Sequence, residues 1–156
     1  MTRHDHETRP AADPASGARV TGPIDSGPGR LFTLLYGVFA VGATSRSVYQ
    51  LATRASEAPF AYWLSALSAL VYVVAFVLLL RWGHPGSRKA LRIVCLIELT
   101  GVVVIGTLSL VAPQLFPHTT VWSYFGVGYL LMPAILPVLV LRWLKATEPA
   151  VEAPTA

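Results

Sequence analysis

The chain has 156 residues, 54% hydrophobic and 13% charged, with a formal net charge of +4. Soluble domains carry about 25% charged residues; here the charges sit in the tails and two short loops, which excludes an ordinary soluble fold and indicates a membrane protein. The basic balance does not indicate nucleic acid, because Lys and Arg flank apolar runs instead of lining one face, and the single cysteine, Cys95, excludes an internal disulfide or a CxxC redox pair.

Residues 1–29 are rich in Pro, Gly, Ala and Asp and hold almost no large apolar side chains. They cannot bury enough surface to offset the entropy of ordering, so a disordered cytoplasmic tail is expected. His4 and His6 lie in it, but such a tail does not hold a rigid ligand set, and no metal site is expected. No cleavable signal peptide is visible, because the first apolar run begins only after this tail.

Four apolar runs follow, at about 31–51, 60–80, 91–112 and 121–141. The second, FAYWLSALSALVYVVAFVLLL, matches a ~30 Å hydrocarbon core at ~1.5 Å per residue. The runs are twice the length of a barrel strand, and four strands cannot close a barrel, so helices are predicted. Short connections make sequential helices antiparallel neighbours. The expected fold is an all-α, up-down four-helix transmembrane bundle over residues 30–145, followed by a disordered cytoplasmic tail at 146–156.

Orientation follows from Lys and Arg in the short loops. Arg30 precedes the first run; Arg81, Arg88, Lys89 and Arg92 lie between the second and third; Arg142 and Lys145 follow the fourth. The opposite side holds only Arg54. Both termini are therefore expected in the cytoplasm. Tyr62, Trp63, Trp122 and Tyr124 fall at the outer ends and Phe32, Tyr36, Trp82 and Trp143 at the inner ends, the pattern of interfacial aromatic belts.

Small residues at helical spacing mark the faces where helices approach closely. Ala61, Ser65, Ser68, Tyr72 and Ala75 form such a stripe on the second run; Gly37, Ala40, Thr44 and Ser47 form one on the first.

Few polar groups enter the membrane. Arg46 lies in the outer half of the first run, with Tyr49 and Gln50 one turn on. Arginine in a helix costs ~2.5–3.5 kcal/mol at the bilayer centre and less near the interface. It can serve an anion or head-group site opening outward, snorkel to the outer interface, or hold a structural pair. Glu98 is the sole acid inside a run and needs a proton or a partner. Arg46 lies about 16 residues from the inner surface and Glu98 about 8, roughly 10 Å apart along the normal at ~1.5 Å per residue. A shared interior network is expected, through Tyr72, Ser68 or Thr44 or through water, more than one direct bond. Pro133 and Pro137 interrupt the fourth run and predict a kink.

No GxSxG, HExxH, Walker A, GxGxxG or paired-carboxylate pattern occurs, so neither catalytic residues nor a cofactor are expected. His84 and His118 fall outside the runs, which excludes bis-His haem ligation within the bundle.

The phrases LYGVFAVGATSRSVYQL, EAPFAYWLSALSALVYVVA, IELTGVVVIGTLSL and PQLFPHTTVWSYFGVGYLLMPAILPVLVL, spanning roughly residues 31–143, resemble small uncharacterised integral membrane proteins of actinobacteria. That resemblance implies a bacterial plasma membrane location and transfers no activity or site residue. Four-helix small multidrug transporters are similar in size, but their functional glutamate is in the first helix and the acid here is in the third.

The expected function is that of a non-enzymatic accessory or interaction subunit in a larger envelope assembly. Its partners would be the lipid bilayer and other membrane subunits or a further copy of the chain. The alternative is a small oligomeric transporter or proton-coupled carrier using Glu98 and Arg46.

Overall fold

A computed structural model describes residues 27–54, 56–115 and 118–148. Most of both expected tails, with His4 and His6, lies outside the described residues; residues 27–29 already belong to the first helix. The described chain is helical and contains no strand. Its α-helices are α1 (Gly27–Arg54), α2 (Pro59–Leu80), α3 (Ser87–Val111) and α4 (Met132–Ala146). A short 3-10 turn, Pro113–Leu115, and a 3-10 segment, Ser123–Tyr129, connect α3 to α4.

Three helices, α1 to α3, are long and apolar enough to cross a membrane. The 3-10 segment and α4 make a fourth crossing only if taken together, because the chain bends by 94° between them. Proline is tolerated in the first turn of a helix, where its missing N–H has no intrahelical partner. Pro28 and Pro59 accordingly start α1 and α2. Gly83 and Gly86, both in the left-handed region (φ 91° and 83°), turn the chain from α2 into α3.

Burial follows helical spacing. On α2, Ala61, Ser65, Ser68, Tyr72 and Ala75 are all buried. On α3 the buried line is Leu91, Cys95, Glu98, Val102, Ile105 and Ser109, alternating steps of three and four. On α1 the buried line is Phe32, Tyr36, Ala40, Ala43 and Ser47. This differs from the small-residue stripe read from the sequence: Gly37 is half-exposed and Thr44 is exposed. Burying Phe32 and Tyr36 removes far more apolar surface from water or lipid contact than burying a glycine, and their spacing sets the face.

α1 packs along α2, α2 on α3 and α3 on α4, while α1 touches α4 only lightly. Aromatic rings close that gap. Phe32 meets Trp143 edge-on at 5.6 Å and Trp82 lies 4.6 Å from Trp143. Arg88 covers the Trp82 ring at 5.0 Å and donates to the Leu144 carbonyl and to Thr147 Oγ1, both at 3.1 Å. Arg92 pairs with Glu148 and holds that carboxyl below the usual carboxylate range. The start of α1, the end of α2, the start of α3 and the end of α4 therefore share one end of the molecule.

The fourth apolar run is not one continuous helix. Tyr124, Phe125 and Gly126 have φ of 52°, 58° and 78°, and Leu130 and Leu131 have φ of 57° and 59°. The break falls before Pro133, which sits in the first turn of α4 and starts that helix instead of bending it. Pro137 lies inside α4. Two glycines of α3 receive the irregular segment. A Cβ on Gly101 would lie 2.6 Å from the Trp122 ring, and one on Gly106 would lie 2.8 Å from the Phe125 backbone nitrogen. The apolar length of this run is thus divided between a plug packed on α3 and a helix of 15 residues, ~22 Å at ~1.5 Å per residue.

Candidate functional site

The polar groups inside the described fold gather in two places. The first is held by Arg46 in the half of α1 nearer its C-terminus. Its Nη1 donates to Tyr129 Oη at 2.5 Å and its Nη2 to the Thr119 carbonyl at 2.6 Å. Irregular backbone inside a membrane must find donors and acceptors within the protein, and an arginine fork supplies several donors at once. The segment is tied further by its own hydroxyls. Thr120 N donates to Ser123 Oγ at 2.9 Å, Ser123 N to Thr120 Oγ1 at 3.1 Å, and Tyr124 N to Ser109 Oγ on α3 at 3.1 Å.

Beside this site, Glu57 gathers three neighbours. It accepts from Tyr62 Oη at 3.4 Å and lies 3.8 Å from both Arg54 and His118. His118 stacks on Tyr62 with ring centres 5.8 Å apart. Among the described residues no three His, Cys, Asp or Glu side chains are grouped to hold a metal.

The second place is the centre of the bundle-facing side of α3. Glu98 is 0% exposed and its Oε2 accepts from Tyr36 Oη at 2.8 Å. Cys95 Sγ lies 3.6 Å from the same hydroxyl. Glu98 Oε1 has no hydrogen-bond partner among the described residues, and neither do Ser47 Oγ and Gln50 Oε1. Tyr72 lies next to Tyr36, ring centres 6.3 Å apart, and accepts from Trp122 Nε1 at 3.3 Å.

The expected intramembrane network comprises Arg46, Tyr49, Gln50, Glu98, Tyr72 and Ser68. Arg46 and Glu98 bond to different tyrosines on different elements and share no partner among the described residues. Tyr49 is exposed and Gln50 half-buried. Tyr72 stands beside the Glu98 site through Tyr36. Ser68 and Ser65 satisfy their hydroxyls on their own helix, donating to the Ser65 and Ala61 carbonyls at 2.8 and 3.0 Å. Pro133 and Pro137 lie in α4, below the segment that Arg46 holds.

Tyr36 and Trp122, expected in the aromatic belts, are 0% and 2% exposed and donate to Glu98 and Tyr72. The signal for Tyr36 is its helical register with Ala40 and Ala43. The signal for Trp122 is that α3 offers Gly101 opposite a large ring. Tyr129 and Thr119 as partners of Arg46 depend on the break in the fourth run, which no local pattern specified.

A third feature lies on the outer flank. α1 and α2 leave between them an apolar groove of about 1180 Å³ whose wall includes Arg30, Gly37, Val41, Gly42, Ser45 and Phe76. Phe76 forms its floor, 3.0 Å from where a Gly37 Cβ would stand.

Chemically, the first site is a structural clamp on irregular backbone. The second is a carboxyl held in a packed, largely apolar interior. Comparison with known proteins adds nothing to these assignments: no family profile, no curated protein and no solved structure matches the chain.

Proposed function

We propose that the chain is a non-enzymatic integral membrane protein that serves as an accessory or interaction subunit of a larger cell-envelope assembly. In this reading it forms an up-down bundle of four columns in the plasma membrane. The 3-10 segment and α4 together form the fourth column, and both termini are cytoplasmic. The Lys/Arg bias of the loops supports that orientation, and the aromatic cluster joining the start of α1 to the end of α4 supports termini on one side.

The observation that carries the functional reading is the contrast between inside and outside. Arg46 bonds the Thr119–Tyr129 segment and Glu98 is packed against Tyr36, whereas the α1–α2 flank keeps an open apolar groove. Intramembrane charges of a carrier converge on a shared aqueous path; here they serve separate packing roles. Isolation from the source membrane in mild detergent, with quantification of what co-purifies, tests this. A protein partner at fixed stoichiometry is expected. Recovery of the chain with lipid alone counts against it.

One observation favours the alternative of a small proton-coupled carrier: the buried Glu98 Oε1 without a partner among the described residues. Proton-driven solute flux in liposomes that is lost in Glu98→Gln would establish that reading.

A further inference from the structure

We infer that the α1–α2 groove is the seat of one transmembrane helix from a different protein, carrying an acidic side chain level with Arg30. The inference rests on the interaction-subunit reading and names its partner's chemistry. Along α1 the groove runs from Arg30 to Ser45. That is ~22 Å at ~1.5 Å per residue. An acyl chain occupies one leaflet, half of a ~30 Å core, and so about 15 Å. The groove therefore crosses the membrane midplane, which a helix does and a lipid chain does not.

The wall is suited to close backbone approach. A Cβ placed on Gly42 would meet nothing within 4 Å, so the glycine presents bare backbone outward. In lipid, helix association comes from such packing and not from hydrophobic driving force. Mid-helix glycine also costs roughly 0.5–1 kcal/mol against alanine, a loss that an external contact would offset.

Charge selects the occupant. Arg30 is exposed at one end of the groove and has no ion-pair partner among the described residues. In a two-fold pair seated on this groove, related by an axis along the membrane normal, α1 would face α1 with Arg30 against Arg30. Neither α1 nor α2 contains an acid with which a second copy could relieve that repulsion. A different helix bearing Asp or Glu at that level relieves it.

A photoreactive phenylalanine at Val41, with Val104 on the exposed face of α3 as control, tests the proposal in membranes of the source cell. The expected Val41 adduct is a peptide from another protein's transmembrane segment with Asp or Glu within a turn of its end. Its yield should survive Arg30→Lys and fall at least roughly tenfold in Arg30→Glu, as for loss of a desolvated charge pair. Reversing the partner's acid to Lys should restore it. Circular dichroism confirms that each variant folds. Adducts with lipid only, adducts with a second copy, or a partner peptide lacking an acid there would each overturn the proposal. Peptide adducts from Val104 but not Val41 would remove the groove and leave the interaction subunit standing; no peptide adduct from either position would remove both.

Discussion

Arg46 and Glu98 show how a membrane interior deals with charge. Each is bonded to a tyrosine hydroxyl, and each tyrosine lies on an element remote in sequence. Hydrogen bonds to charged groups contribute about 1.5–3 kcal/mol. Arg46→Met should therefore lower stability in detergent by about that much, measured by thermal unfolding, and Tyr129→Phe should lose part of the same energy. In a double-mutant cycle the pair should couple by ~0.5 kcal/mol or more, whereas Arg46→Met with Glu98→Gln should add within ~0.3–0.5 kcal/mol. Coupling of Arg46 to Glu98 as strong as its coupling to Tyr129 would contradict the separation of the two sites. Tyr36→Phe removes the Tyr36 hydroxyl bond to Glu98 and should cost about 1–3 kcal/mol, because a buried polar group then loses its partner; converting Glu98 to Met as well should recover part of that loss. The cost of Arg46 and Glu98 was readable from the sequence as single residues in apolar runs. Their partners were not, since 83 and 62 residues separate the bonded pairs and no local spacing links them.

At the scale of elements, the first three helices were readable because long apolar runs between polar loops have no alternative in lipid. The fourth was readable only in part. Its run is long enough to span, yet five residues with positive φ divide it. Four of those five are not glycine, so composition gave no warning. Their conformation is held by tertiary contacts: Trp122 and Phe125 pressed onto Gly101 and Gly106 of α3, and Arg46 bonded to the Thr119 carbonyl. Those glycines therefore carry the break. Gly106→Ala places a Cβ against backbone and should destabilise by about 1–3 kcal/mol through overpacking. Gly101→Ala presses on a buried indole and should act in the same direction. Gly42→Ala in the purified chain meets open space and should be neutral or gain up to ~1 kcal/mol. Thermal unfolding of the three variants gives the order; equal effects at Gly42 and Gly106 would mean that the segment does not pack on α3 as described.

On the proposed reading, the molecule as a whole is a small membrane protein whose interior serves its own packing and whose partner binds on its flank. The topology it requires can be checked with reporter fusions at Gly86 and at Ala156, both of which should read cytoplasmic. The class of the protein was readable from composition and its distribution, because 13% charge, nearly all of it outside the apolar runs apart from Arg46 and Glu98, does not suit a soluble fold of this size. The α1–α2 groove was not, since the small residues of α1 divide between an inner line and an outer one, and only the placement of Phe32 and Tyr36 decides which faces out. Membership of a larger assembly is tested most directly by the native mass of the particle released from its own membrane in lipid discs, without detergent exchange. The expected particle is the chain plus a second polypeptide of constant mass. A particle containing this chain alone, or whole multiples of it, would contradict it.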